Sequence, residues 1–258
     1  MSQPSHKQFS QSQMASHKGI TFVIAMAALV GICFPVSSFI LFGDLFSEFV
    51  WVDPRIFTPA ELVSKLQESS MVVRNALIGY AVTPLMYLPV AMGQYLILKS
   101  QRNPLASAIL IFSSIAAVGM AVGIARWPVL WSISHEFANG DVQVLAPMFT
   151  TIDWMFGVVI EQFVGEFFWA LWMGATAMAL WGQTGSARVL CWLSLAACIA
   201  QIPGTFRSLY PDISFLNTAN EYILPLWAIT AGVWMVLYLK GLKKSTKAAE
   251  LTPEWSSE

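Results

Sequence analysis

The sequence predicts an all-α polytopic membrane protein, a bundle of six transmembrane helices with both termini in the cytoplasm. Only 11% of the 258 residues are charged and 56% are hydrophobic, whereas a soluble domain has about 25% charged residues. Six apolar stretches approach the roughly 20 residues that a membrane-spanning helix needs. An uneven distribution of Lys and Arg sets the predicted orientation.

The predicted spans follow one another with tight connections on one side and long loops on the other. They lie at roughly 19–43, 75–98, 105–125, 154–181, 188–203 and 222–240. The fifth is short, so the sequence leaves open a full crossing or a partly re-entrant segment. We expect a membrane bundle over residues 19–244, flanked by polar cytoplasmic tails at 1–18 and 245–258.

Basic residues are concentrated on the side of the bundle that holds both termini. Of the 14 Lys and Arg residues, the opposite side holds five: Arg55, Lys65, Arg74, Arg126 and Arg207. Because loops rich in Lys and Arg stay in the cytoplasm, both termini are predicted to be cytoplasmic. This pattern favours a multi-pass membrane protein, which in a bacterium would lie in the inner membrane.

Two segments outside the spans have helix signals of their own. Thr58, Pro59 and Glu61 form a capping box with a proline at the first helical position. We therefore expect a short outer helix over about 59–69 that leads into the second span. A surface helix near 142–151 should bend into the fourth span, since one straight helix from 142 to 181 would be about twice as long as the membrane core is thick.

Two glutamates interrupt the apolar run of the fourth span. An ionisable group at membrane depth is costly unless it is paired, neutralised or solvated. Counted from Trp154 as an interface marker, Glu161 lies about 10 Å deep and Glu166 about 18 Å deep, and an α-helix separates them by about 140°. Glu161 can reach Arg126 or Arg74, and we expect it to form a structural ion pair with Arg126. We expect Glu166 to lack an arginine partner and to be protonated or hydrogen-bonded by Tyr and Gln side chains.

Polar side chains at helical spacing on other spans suggest a small pocket between the helices. Their alternative role is packing, and Glu166 is equally compatible with a satisfied structural carboxyl. The candidate pocket residues are Glu166, Glu161, Gln162, Arg126, Tyr80, Tyr87, Gln94 and Gln201.

The sequence argues against several other functions. The net charge of −1 gives no sign of nucleic-acid binding, and neither a phosphate-binding loop nor a protease signature occurs. His6, His17 and His135 all fall outside the predicted spans, so we expect no haem, no other cofactor and no metal. Evidence for an enzyme is weak, and no catalytic residue is assigned.

Short motifs in the fourth and sixth spans resemble a known family. They are Gly165-Glu166-Phe-Phe-Trp169-Ala-Leu-Trp172, Asn220-Glu221, Leu226-Trp227 and Lys240-Gly241. In this order the chain resembles the DUF4386 family of bacterial membrane proteins over roughly residues 19–244. The resemblance implies the six-span topology and points to Glu166 and Glu221 as shared positions. It implies no activity.

Four functions remain open at this point. The first is an intramembrane pocket, open to the outside, that binds a lipid-like or small amphipathic molecule from the lipid bilayer. The second is a proton-coupled transporter that uses Glu166. The third is a membrane partner or sensor subunit that contacts another protein through its outer loops, and the fourth is an acid-catalysed membrane enzyme.

Overall fold

The computed structural model describes residues 18–38, 58–137, 142–213 and 215–251. Within these ranges the chain is helical and contains no β-strand. Six helices there are long and apolar enough to cross a membrane, which confirms the predicted fold class. They are Lys18–Ser38, Met71–Ser100, Ala106–Glu136, Val144–Ala179, Ser186–Gly204 and Tyr222–Lys244.

Several spans are built from more than one helical element. The α-helices are α1 (Lys18–Ser38), α2 (Pro59–Glu68), α3 (Met71–Val82), α4 (Tyr87–Ser100), α5 (Ala106–Ile124), α6 (Arg126–Glu136), α7 (Val142–Ile152), α8 (Phe167–Ala179), α9 (Ser186–Gly204) and α10 (Phe215–Leu251). A 3₁₀ turn at Thr83–Met86 joins α3 to α4, a π-helix at Asp153–Glu166 joins α7 to α8, and a second 3₁₀ turn lies at Pro211–Ile213.

Several of the spans differ from prediction in their boundaries or continuity. The third span does not end at 125, because Ala125 keeps a right-handed helical backbone and α6 continues from it. The fifth is a continuous helix of 19 residues, about 28 Å long at 1.5 Å per residue, so it is long enough for a full crossing. The helix of the sixth span, α10, continues to Leu251. It therefore extends past the predicted end of the bundle at 244.

The two ends of the bundle are different. At the termini end, a tight turn after α4 meets the end of α8, where Asn103 Nδ2 donates to the Ala179 carbonyl over 3.1 Å. Ser100 and Tyr238 also share a hydrogen bond of 2.7 Å there. At the opposite end, here called the capped end, α2, α6 and α7 enclose a separate apolar cluster that includes Leu66 and Phe149.

The short helix α2 forms as the sequence predicts. The Thr58 hydroxyl accepts from the Glu61 backbone N–H, and the Glu61 carboxylate accepts from the Thr58 N–H over 2.7 Å, which completes the capping box. Leu62, Val63 and Leu66 are buried, so α2 packs onto the bundle with its apolar side.

Glycines let α5 approach the fourth span at backbone distance. A Cβ on Gly119 would lie 2.9 Å from the Gly165 Cα atom, and a Cβ on Gly123 would overlap Glu161. Both contacts are closer than a Cβ atom would allow, so only glycine fits at these two positions. The two glycines therefore let the fourth span, with its glutamates, pack directly against α5.

The π-helix changes the geometry that the sequence suggests for Glu161 and Glu166. Fourteen residues, Asp153–Glu166, adopt this conformation, although π-helices are rare and mostly single turns found at functional sites. Its hydrogen bonds join residues five apart, so Glu161 and Glu166 lie about one turn from each other. The expectation that they face well-separated sides of an α-helix is therefore wrong.

Candidate functional site

The first ion pair is half-buried and joins α6 to the π-helix. The Arg126 guanidinium binds Glu161, and its Nε donates to Asp153 Oδ1 over 2.7 Å. Arg126 Nη1 also donates to the Gly123 carbonyl over 2.8 Å. The predicted pairing of Glu161 with Arg126 is confirmed, and Asp153 is an additional carboxylate that the prediction did not include.

A glycine makes room for this guanidinium. A Cβ on Gly157 would lie 2.7 Å from Arg126 Cζ, so any other residue would displace the arginine. The guanidinium carbon of Arg126 also lies 4.8 Å from the centre of the Trp127 ring, within the range of a cation–π contact.

The second ion pair is formed by Glu166 and Arg207. Glu166 is buried, with only 5% of the residue exposed. Arg207 binds its carboxylate with both terminal nitrogens, and the Nη2–Oε1 distance is 2.7 Å. Gln201 Nε2 donates to Oε2 over 2.9 Å. This two-pronged arrangement is the strong form of an arginine–carboxylate pair.

The expectation that Glu166 lacks an arginine partner is wrong, although the expected glutamine donor is present. Sequence position places Arg207 in an outer loop, but α9 ends at Gly204 and the chain turns there. Arg207 Nη1 donates back to the Gly204 carbonyl over 3.0 Å, which directs the side chain into the bundle. The π-helix contributes as well, because its wider turns bring Glu166 closer to Trp154 than the α-helical estimate of about 18 Å.

The segment that carries Arg207 is attached to the π-helix by polar contacts. Gln162 Nε2 donates to the Thr205 carbonyl over 2.6 Å and to the Ser208 hydroxyl over 3.1 Å. The same segment exposes large apolar side chains, including Leu209 and Tyr210. A polar underside and an apolar outer surface thus occur on one short stretch of chain.

The two ion pairs form one electrostatic unit with unequal charge. Among the described residues against the π-helix, three carboxyl groups (Asp153, Glu161 and Glu166) face two guanidinium groups (Arg126 and Arg207). The charges of Glu161 and Arg126 also act on Glu166 and on Arg207. With every group ionised, this unit has one negative charge in excess.

Two of the remaining predicted residues, Tyr87 and Gln94, lie in an aromatic core next to the ion-pair site. Tyr87 packs edge-on against Trp169 with ring centroids 4.8 Å apart, and Gln94 accepts from Trp172 Nε1 over 3.0 Å. Both belong to an aromatic core between α4, α8 and α10. Tyr80 lies on α3, and its carbonyl accepts from the Thr83 hydroxyl over 2.6 Å. The structure thus groups Arg126, Glu161, Gln162, Glu166 and Gln201 around the π-helix, whereas Tyr87 and Gln94 belong to the aromatic core.

Arg207 is the main residue that the sequence reasoning missed. The available signal was Pro203-Gly204, which ends α9 and makes the chain turn three residues before the arginine. Trp169 and Trp172, which line the aromatic core, enter the sequence analysis only through the family motif and not as candidate pocket residues.

The fold and its buried charges define a multi-pass membrane protein with a polar ion-pair site between its helices. The family model DUF4386, a domain of unknown function, matches residues 25–239. The chain belongs to this family, as the resemblance of its motifs indicated. No curated protein and no solved structure matches it.

Proposed function

We propose that this chain binds a lipid-like or small amphipathic molecule with an anionic head group, and that Arg207 receives that head group in place of Glu166. The observation that carries the proposal is the buried Glu166–Arg207 pair, whose arginine comes from a turn and not from a spanning helix. An arginine in a turn can move away from its carboxylate without displacing a transmembrane helix.

A stability role alone is a weak explanation for this pair. Taking two charges out of water costs several kcal/mol each, and apolar residues of similar volume often give equal or greater stability. Charged residues at membrane depth are therefore associated with binding or transport. The guanidinium fork also matches the geometry of carboxylate and phosphate groups.

Binding of an anion at Arg207 is coupled to a proton in this proposal. The ion-pair unit already has one carboxyl group more than it has guanidinium groups. A further negative charge in a low-dielectric site is strongly unfavourable. Glu166 therefore releases Arg207 and takes up one proton when the anionic head group binds, so the charge of the unit does not change.

The segment Thr205–Tyr210 is suited to admit such a guest. Its inward side is held by Gln162 and Glu166, and its exposed side includes Leu209 at 54% and Tyr210 at 64% exposure. An amphipathic molecule needs both a charged contact and an apolar surface for its chain. This segment supplies the two together.

Equilibrium binding of radiolabelled decanesulfonate to the purified protein in detergent tests the proposal. This probe is always charged, so any pH dependence of its binding comes from the protein. Arg207→Gln should weaken binding roughly tenfold or more, because a hydrogen bond to a charged group contributes about 1.5–3 kcal/mol. Arg188→Gln is the control, since Arg188 is exposed at the termini end, and decanol is the uncharged control probe.

Glu166→Gln gives an independent result. The variant leaves Arg207 without its carboxylate, so it should bind decanesulfonate more tightly at neutral pH and lose the increase in affinity that the wild type shows at acidic pH. Wild-type affinity in Arg207→Gln would overturn the proposal. If Arg207→Gln does not fold, an unchanged pH dependence in Glu166→Gln would overturn it.

Proton-coupled transport is a second candidate, favoured by the excess carboxyl group of the ion-pair unit. The same exchange at Arg207 would then be one step of a transport cycle. Uptake of the labelled probe into proteoliposomes should follow an imposed pH gradient and should lose that dependence in Glu166→Gln. Uptake that ignores the gradient in the wild type would exclude this candidate.

A further inference from the structure

A column of polar side chains continues from Glu166 toward the termini end of the bundle. On α8, Trp169, Trp172 and Thr176 follow Glu166 at steps of three and four residues, so they lie on one side of the helix. The column covers about 15 Å from Glu166 to Thr176 at 1.5 Å per residue. Three further residues complete α8, about 5 Å more.

The neighbouring helices add polar groups to the same column. Trp172 Nε1 donates to Gln94 Oε1 of α4, and Trp227 Nε1 of α10 donates to the Ser194 hydroxyl of α9 over 2.8 Å. The Trp172 and Trp227 rings meet edge to face with centroids 5.0 Å apart. At the capped end the column begins with the Gln201–Glu166 hydrogen bond.

Three polar atoms in this column have no hydrogen-bond partner among the described residues. They are Gln94 Nε2, Trp169 Nε1 and Thr176 Oγ1. Their residues are 0%, 2% and 0% exposed, respectively. Nearly all buried polar atoms in native proteins are hydrogen-bonded to protein or to ordered water, and an unpaired one carries a large desolvation penalty. Two of these atoms are N–H donors and the third is a hydroxyl, which is the set of partners that buried water uses.

We propose that internal water occupies this column and that it forms a proton route between Glu166 and the termini end of the bundle. The proposal rests on the assignment of Glu166 as the group that takes up a proton. Each carrier accepts one proton on one side and releases one on the other, so no carrier changes its charge after a complete transfer. The carriers are water, the Thr176 hydroxyl and the Glu166 carboxyl, while the Gln94 amide and the Trp169 indole donate hydrogen bonds that hold the water.

The charged groups around Glu166 favour release of its proton into this column. Arg207 binds the carboxylate directly and stabilises its charged form, and Gln201 donates a hydrogen bond to it. When Arg207 returns to Glu166, the proton must leave. The column gives this proton a route toward the termini end. The ion pairs at the capped end give it no such route.

Proton flux into proteoliposomes, driven by a potassium diffusion potential and read with an internal pH dye, tests this inference. Thr176→Val keeps the shape of the side chain and removes its hydroxyl. It should lower the flux about fivefold or more, because hydrogen-bonded networks depend on every member. Thr150→Val is the control, since Thr150 is exposed on α7 at the capped end and its hydroxyl donates to the Ala146 carbonyl over 3.0 Å. Gln94→Leu should behave like Thr176→Val.

A dry column predicts different results. Valine would then remove an unpaired buried hydroxyl, and Thr176→Val would melt at a higher temperature than the wild type with unchanged flux. Wild-type flux in both Thr176→Val and Gln94→Leu would overturn the inference. Decanesulfonate binding separates this outcome from the proposed function, because Thr176→Val should bind the probe with wild-type affinity even where the flux is lost.

Discussion

At the residue scale, the fourth span contains two carboxylates with different surroundings. Glu161 shares Arg126 with Asp153 near the start of the π-helix, and its side chain is 16% exposed. Glu166 is more deeply buried, at 7% side-chain exposure, and has its own arginine. In the proposed function the Glu166 pair is the one that opens, because Arg207 comes from a turn.

The Arg126 pair should behave as a structural element. Arg126→Gln leaves the half-buried carboxylates Asp153 and Glu161 without a cation, and even a fully buried pair costs no more than about 3–5 kcal/mol to break. We expect a large fall in the melting temperature in detergent, with Arg188→Gln unchanged as the exposed control. Equal melting temperatures for the two variants would show that the Arg126 pair adds nothing to the fold.

Local residue patterns predicted one of these pairs and missed the other. The Arg126–Glu161 contact follows from depth, since both residues lie near the same end of adjacent spans. Arg207 could not be found in this way, because its distance from Glu166 depends on how the chain turns after Gly204. Pro203-Gly204 signals that the chain turns there, but the sequence does not show in which direction the side chain of a basic residue after the turn will point.

At the element scale, the π-helix is the feature that composition did not reveal. The apolar pattern of residues 153–166 is that of an ordinary membrane helix. Whether its hydrogen bonds join residues four or five apart depends on packing against the neighbouring helices. The close contact of Gly119 with Gly165 and of Gly123 with Glu161 is a tertiary constraint on this stretch. The capping box of α2, by contrast, depends on residues three apart and was predicted correctly.

The cap of α2 should respond to acid. The backbone N–H of Thr58, with a smaller contribution from its hydroxyl, holds the pKa of Glu61 below its ordinary value. A lowered pKa in the folded state means that the contribution of Glu61 is present above the ordinary carboxyl pKa and is lost as pH falls through the lowered one.

Hydrogen exchange at the first turn of α2 measures this effect. Protection should fall at acidic pH in the wild type, and Glu61→Gln should remove most of the pH dependence. Thr58→Ala should lower protection at every pH, because Thr58 is the N-cap residue. If Glu61→Gln shows the same acid response as the wild type, a group other than Glu61 causes that response.

At the scale of the whole molecule, six apolar helices place the chain in a membrane as a multi-pass protein of the DUF4386 family. Apolar length and low charge were enough to predict this architecture. The grouping of polar side chains was not predictable to the same degree, since the second span contributes Tyr87 and Gln94 to the aromatic core and not to the ion-pair site.

The orientation stays a prediction from the distribution of Lys and Arg. A fluorescent protein that folds only in the cytoplasm should be bright when fused after Glu258 in a bacterial host. Alkaline phosphatase, which is active only outside the cytoplasm, should be inactive at the same position. The reverse pattern would place the Glu166–Arg207 pair near the cytoplasmic surface.

The coupling of anion binding to proton uptake at Glu166 is the central claim, and calorimetry in buffers of different ionisation enthalpy tests it directly. Titration of the wild type with decanesulfonate should show uptake of about one proton per bound probe, because the charge of the buried unit has to stay constant. Glu166→Gln should bind the probe without proton uptake. Binding without proton uptake in the wild type, or equal uptake in Glu166→Gln, would contradict the account.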